Sequence, residues 1–203
     1  MAGIRRGGWR WLACAGVGIG VLVGSGATAF AQTRSIDRYD NSFRKYAKRF
    51  FGPGFDWRLF KAQAMAESGV EAKVKSREGA VGVMQLLPST FGGVTSKYPE
   101  LRKIDDPDCN IGAGISYDRE LWNYYPGVAD ESHRQRFMFA SYNAGPATVQ
   151  WAQKLARQRA LDDRIWASIE AVASAVPKWR YSETFGYLRR IATNALSLGC
   201  PMK

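Results

Sequence analysis

The chain has 203 residues, 46% of them hydrophobic, with 7 Trp, 9 Tyr and 10 Phe and a formal net charge of +11. That length supports one domain with a sizeable core and falls short of two ordinary ones. The aromatic content excludes a disordered chain, and the basic residues are spread without a Lys/Arg block. Such a charge favours attraction to an anionic polymer or surface over a nucleic-acid motif.

Residues 1–31 read as an export leader. Arg5, Arg6 and Arg10 make a basic start, Leu12 to Val23 is an apolar, glycine-rich run, and Ala29-Phe30-Ala31 puts small residues where a signal peptidase reads. Cleavage is expected after Ala31, giving an exported, periplasmic protein. The Gly, Ser and Thr of the run disfavour the alternative, an uncleaved membrane anchor. Loss of three arginines and no acids takes the net charge from +11 to +8. In an oxidising compartment Cys109 and Cys200 are expected to form one disulfide, the alternative being two buried thiols. With a single histidine, His133 in the polar run DESHRQR, no tetrahedral zinc site is expected, and His133 reads as a solvated surface residue.

Residues 32–55 read as a linker and a short basic helix, DNSFRKYAKRFFG, ended by the Gly-Pro-Gly of 52–54. Phe43, Tyr46, Phe50 and Phe51 recur at helical spacing and would dock this helix on the domain. Helical signals then cover 56–68, 107–125, 131–143, 146–160, 163–175 and 183–197. Between them SREGAVGVMQ predicts turns or a small β-excursion near 78–84, and LLPSTFGGV a short helix with Pro88 in its first turn. The fold expected is mainly α, one domain over 56–203 with a cleft.

Glu67 stands out within this pattern. Trp57, Phe60 and Ala64 form an apolar stripe, and Glu67 continues it in the last helical turn before Gly69. The negative end of the helix dipole and partial burial both disfavour an anion there, which raises the carboxyl pKa as a general acid requires. A surface Glu at a frayed helix end is the plainer alternative from position alone. No second carboxylate stands out as its partner. Asp105, Asp106 and Asp108 read as the cap region of the next helix, and Glu183 as a helix-start residue.

Four ordered motifs resolve that choice: Glu67-Ser68-Gly69, GVMQ (82–85), SYNAG (141–145) and ETFGYL (183–188). Together they resemble the soluble-type lytic transglycosylases, whose catalytic domain has the goose-type lysozyme fold. DPDCNIGAGISYDREL (106–121) is similar to the Asn-x-x-x-Gly-x-x-Tyr helix of these enzymes. The lead-in FDWRLFKAQAMAESG resembles the catalytic domain of the membrane-bound type F enzymes. The similarity spans about 56–192, and Val83, Ser141 and Leu188 depart from the usual Leu, Ala and Val without removing a polar group.

The resemblance implies a lysozyme-like domain that cleaves peptidoglycan glycan strands between N-acetylmuramic acid and N-acetylglucosamine. Glu67 would act as acid and then as base on the muramyl C6 hydroxyl, leaving a 1,6-anhydro end. Most glycosidases need two carboxylates, so one acid is an exception that substrate-supplied nucleophiles make workable. Ser68, Met84, Gln85, Tyr142, Asn143 and Tyr187 would bind substrate around it. No metal or organic cofactor is expected, nor a nucleic-acid partner. A monomer is expected, with a cell-envelope or secretion apparatus as a conceivable partner. A lysozyme- or chitinase-like hydrolase on the same fold, or a non-catalytic wall-binding protein, stays open at this level.

Overall fold

The structure, a computed structural model, describes residues 37–128 and 130–202. The expected leader and its cleavage site at 1–31 lie outside the described residues. Among the described residues eight α-helices carry the fold: α1 Asp40–Phe51, α2 Arg58–Ser68, α3 Pro88–Lys97, α4 Pro107–Asn123, α5 Glu131–Ala144, α6 Pro146–Gln158, α7 Trp166–Val172 and α8 Tyr181–Ser197. The protein is mainly α. The β-excursion expected near 78–84 is present as two isolated antiparallel bridges, Lys75 with Val81 and Val81 with Leu86.

Local chemistry sets the helix ends. Pro88, Pro107 and Pro146 open α3, α4 and α6, where a missing N–H costs nothing. Asp106 caps α4 by accepting from the Cys109 N–H at 2.9 Å, and Asp130 caps α5 by accepting from the His133 N–H at 2.9 Å. The helix α2 ends at Gly69, whose φ of 67° is the left-handed cap a glycine adopts without a Cβ penalty.

The core forms where α2 packs along α8 and α4 packs against α1 and α5. Phe60, Ile111, Phe137, Met138, Phe139 and Ile191 are wholly buried, each large side chain contributing about 1.5–3 kcal/mol of burial. The basic helix α1 shares this core through Phe43 and Tyr46. Its polar side is fastened to α4, with Ser42 Oγ, Lys45 Nζ and Tyr46 Oη all donating to the Asp108 carboxylate at 2.7–2.9 Å. Lys61, only 2% exposed, is neutralised by Asp37 at 2.6 Å and Asp40 at 2.7 Å.

Two expectations change. Cys109 and Cys200 are free thiols rather than a disulfide. Cys109 sits at the start of α4 with its thiol against the Glu100 carbonyl at 3.8 Å, whereas Cys200 follows α8 and lies beside Asp56. The C-terminal tail is held instead by Arg58, which donates to the Leu198 carbonyl at 3.1 Å while its guanidinium pairs with Asp56 at 2.6 Å. His133 is not a solvated surface residue. Its Nδ1 accepts the Trp166 N–H at 3.2 Å, tying α5 to the start of α7, and its side chain is 26% exposed.

Candidate active site

Glu67 occupies the last turn of α2, and Tyr187 from the middle of α8 donates its hydroxyl to Glu67 Oε1 at 2.7 Å. The residue as a whole stays partly open to solvent while protein surrounds its carboxyl group. Burial raises its pKa to about 7, against the Tyr187 hydrogen bond and the positive field of Arg190, which pull it down. A carboxyl poised there both gives and takes a proton near neutrality. Beside it the α2–α8 seam opens into a groove of about 410 Å³ whose lining includes Ala66, Arg189 and Arg190.

The turn that faces α2 is built by internal hydrogen bonds. Ser68 Oγ donates to the Val83 carbonyl at 2.8 Å, linking the end of α2 to residues 82–85. Tyr142 Oη, from α5, donates to the Met84 carbonyl at 2.7 Å. Asn110 accepts from the Met84 N–H at 2.8 Å and donates to the carbonyls of Val81 and Ile104 at 3.0 and 2.9 Å. Two glycines make room for these contacts. A Cβ on Gly82 would lie 2.6 Å from Asn110 Nδ2, and one on Gly114 would lie 2.7 Å from Met84 Cβ. Strain collects beside the acid as well: Val70 and Gln85 are non-glycine residues with φ of 65° and 46°.

This arrangement sorts the residues expected to bind substrate. Glu67, Ser68 and Asn143 keep accessible surface. Tyr187 is buried and touches Glu67 directly. Met84 is wholly buried against Gly114, and Gln85, 4% exposed, spends its amide donor on the carbonyls of Val74 and Gly82 at 3.1 and 2.9 Å. Tyr142 is likewise buried with its hydroxyl used internally. Gln85 and Tyr142 donate to backbone carbonyls of residues 74–84, and the buried Met84 side chain packs beneath the same turn against Gly114. Glu183 pairs with Arg180 at 2.9 Å, one turn back, as a helix-start residue does.

The sequence placed Asn110 and Tyr117 in the Asn-x-x-x-Gly-x-x-Tyr helix without a role for either, and it gave no part to Gln63 or Asp118. The Tyr117 ring packs tilted at 56° against the Tyr142 ring, 5.4 Å between centroids, and burial pushes its phenol up to about 12. Gln63 and Asp118 are fully buried and bonded to each other at 3.2 Å. The signal for this pair was the occurrence of two polar residues on otherwise apolar helix faces, Gln63 one turn before Glu67 and Asp118 straight after Tyr117. No group of three or more potential metal ligands is present among the described residues.

Comparison with known proteins bears on this geometry. The chain is 32% identical over 166 residues to membrane-bound lytic murein transglycosylase F of Shewanella pealeana, covering 79% of this chain and 33% of that protein. The protein of the same name from Vibrio campbellii is 32% identical over 167 residues, covering 79% and 30%. The chain thus spans about a third of the length of these relatives. Among solved structures, the soluble lytic transglycosylase Slt70 of Escherichia coli matches with a TM-score of 0.59 at 27% identity, over 80% of this chain and 25% of that one. The expected lysozyme-like architecture accords with that match. The family model described as the transglycosylase SLT domain matches residues 42–165, more than half of the sequence, and the chain belongs to that family.

Proposed function

We propose that the protein is a periplasmic lytic transglycosylase that cleaves the bond between N-acetylmuramic acid and N-acetylglucosamine in peptidoglycan, with Glu67 as its single acid and base. The observation that carries this reading is a carboxyl poised near pH 7 at the open end of α2, oriented by Tyr187. The names of the relatives and the family membership support it, as do the export leader and the basic charge. The two arginines in the neighbouring groove suit an anionic wall polymer.

In this mechanism Glu67 begins protonated and gives its proton to the glycosidic oxygen as the bond to the muramyl C1 breaks. The N-acetyl group of the same sugar assists at C1. Glu67, now a carboxylate held by the Tyr187 hydroxyl, then takes the proton of the C6 hydroxyl as that oxygen attacks C1. The product is a 1,6-anhydro-muramyl end, no water is consumed, and Glu67 ends protonated as it began. Attack within one sugar needs no ordered external nucleophile, which lowers the entropic cost. Ser68 and Asn143, both accessible, offer hydrogen bonds to the sugar's acetamido and hydroxyl groups. The protein works as a monomer, and a cell-envelope or secretion apparatus remains a candidate partner.

Digestion of purified peptidoglycan by the wild type and by Glu67→Gln, followed by mass spectrometry of the muropeptides, tests this. Glu67-dependent products one water lighter than hydrolytic ones are expected. Reducing ends would make the protein a hydrolase, and no Glu67-dependent product would remove the catalytic reading.

A further inference from the structure

Beneath the acid lies a second carboxyl that the mechanism above does not use. Gln63 precedes Glu67 by one helical turn on α2, and Asp118 reaches it from α4. Both side chains are 0% exposed, and Gln63 Nε2 donates to Asp118 Oδ1 at 3.2 Å. Each group then has one atom left over. Gln63 Oε1 and Asp118 Oδ2 are both buried and have no partner among the described residues.

An ionised carboxylate only accepts hydrogen bonds, so in that state both leftover oxygens are acceptors with no donor. Two buried acceptors left unpaired are costly, and a buried charge with no counter-ion is more so. One proton on Asp118 Oδ2 turns that oxygen into a donor for Gln63 Oε1. The amide and the acid then close a ring of two reciprocal hydrogen bonds, and both orphan atoms are satisfied by the same step.

We propose that Asp118 is a neutral carboxylic acid locked in a doubly hydrogen-bonded ring with Gln63, and that this pair is a positioning element that keeps the floor under Glu67 free of charge. The functional half of this inference rests on Glu67 being the acid of the reaction. The protonation half does not.

The surroundings of Asp118 favour the neutral form. The titratable groups that face it are Glu67 from α2, Tyr142 from α5, Tyr187 from α8 and its own neighbour Tyr117. All are neutral or negative, and Arg190 acts on Glu67 rather than on Asp118. Burial pushes the Asp118 carboxyl well up, the Gln63 hydrogen bond opposes this, and an ionised Glu67 raises it further. When Glu67 surrenders its proton, Asp118 therefore holds its own more tightly, and the new carboxylate meets no second charge below it.

Asparagine in place of Asp118 rebuilds the same ring with an N–H where the acid has its O–H, whereas alanine opens it. The infrared spectrum of the folded wild-type protein at pH 8, where Glu67 is mostly ionised, is expected to keep a protonated-carboxyl carbonyl stretch that Asp118→Asn lacks. Absence of that difference band overturns the proposal. Unfolding measured against pH gives an independent reading that needs no activity. The unfolded chain ionises Asp118 near 3.8 while the folded one does not, so Asp118→Asn gains on the wild type as pH rises above about 4. A gap that stays flat with pH overturns the neutral acid.

On peptidoglycan, Asp118→Ala is expected to lose about tenfold in kcat/KM, the size of one buried polar group left unpaired, with Asp118→Asn recovering it. The alkaline limb of the Asp118→Asn pH profile should stay in place. Movement of that limb to lower pH would mean that a negative charge had been removed from beside Glu67, and the neutral floor would be wrong.

Discussion

Tyr187 Oη donates to Glu67 Oε1 across 2.7 Å, joining residues 120 positions apart and bridging α8 to the end of α2. The bond favours the carboxylate over the acid, opposing the burial that raises Glu67 to about 7. Tyr187 is itself buried, so the hydroxyl has no competing water and its direction is set by packing.

Tyr187→Phe removes that opposition. The Glu67 pKa should rise, and the alkaline limb of the pH–rate profile on peptidoglycan should move to higher pH. Because the carboxylate that serves as base is also less stabilised, kcat/KM near neutrality should fall by about tenfold, equivalent to ~1.4 kcal/mol. A pH–rate series on both proteins measures both effects.

Glu67→Gln should stabilise the fold at neutral and alkaline pH while abolishing cleavage. The wild-type carboxyl titrates near 4.5 when unfolded and about 7 when folded. A raised folded pKa means that its favourable contribution is full below about 4.5 and is lost as pH climbs through about 7. At about 1.4 kcal/mol per pH unit the difference reaches at most ~3.5 kcal/mol, less where solvent reaches the residue. Urea unfolding of both proteins at pH 4 and pH 8 should show a gap only at the higher value.

Gly114→Ala tests the packing that carries the turn under the site. Its Cβ would lie 2.7 Å from both Met84 Cβ and Met84 Cγ, so Met84 must shift. Overpacking of this kind costs about 1–3 kcal/mol. Since the Met84 carbonyl holds the Tyr142 hydroxyl and Ser68 is bonded to Val83, the displacement also reaches the end of α2. A lower melting temperature together with a lower kcat is expected.

The free thiols predict their own reactivity. Burial and the adjacent Asp56 push the Cys200 thiol up to about 12, whereas Cys109 is only partly buried and less perturbed. A thiol reagent should label Cys109 first and Cys200 only on unfolding, and a reductant should leave the melting temperature unchanged.

The legible parts of this protein were those written in local sequence. Helix positions followed the 3.6-residue recurrence of apolar side chains, and ends were readable at Pro88, Gly69 and the cap Asp106. Glu67 was visible for the same reason, as a carboxylate on an apolar stripe at a helix end. What that local pattern lacked was the destination of each polar group. Gln85, Tyr142 and Ser68 read as sugar ligands from their motifs, and only the fold shows that their donors go to the carbonyls of Val74, Gly82, Met84 and Val83.

By itself the sequence determined the helices and the family-like motifs, and it singled out Glu67 as the candidate acid, because periodicity, capping and motif spacing act over a few residues. Only the tertiary structure decided that Cys109 and Cys200 stay apart, that His133 holds α7, and that Asp118 meets Gln63 across 55 residues beneath Glu67. Those outcomes depend on which helix faces are pressed together. Contact across that distance follows from the packing of the whole core rather than from any neighbouring residue.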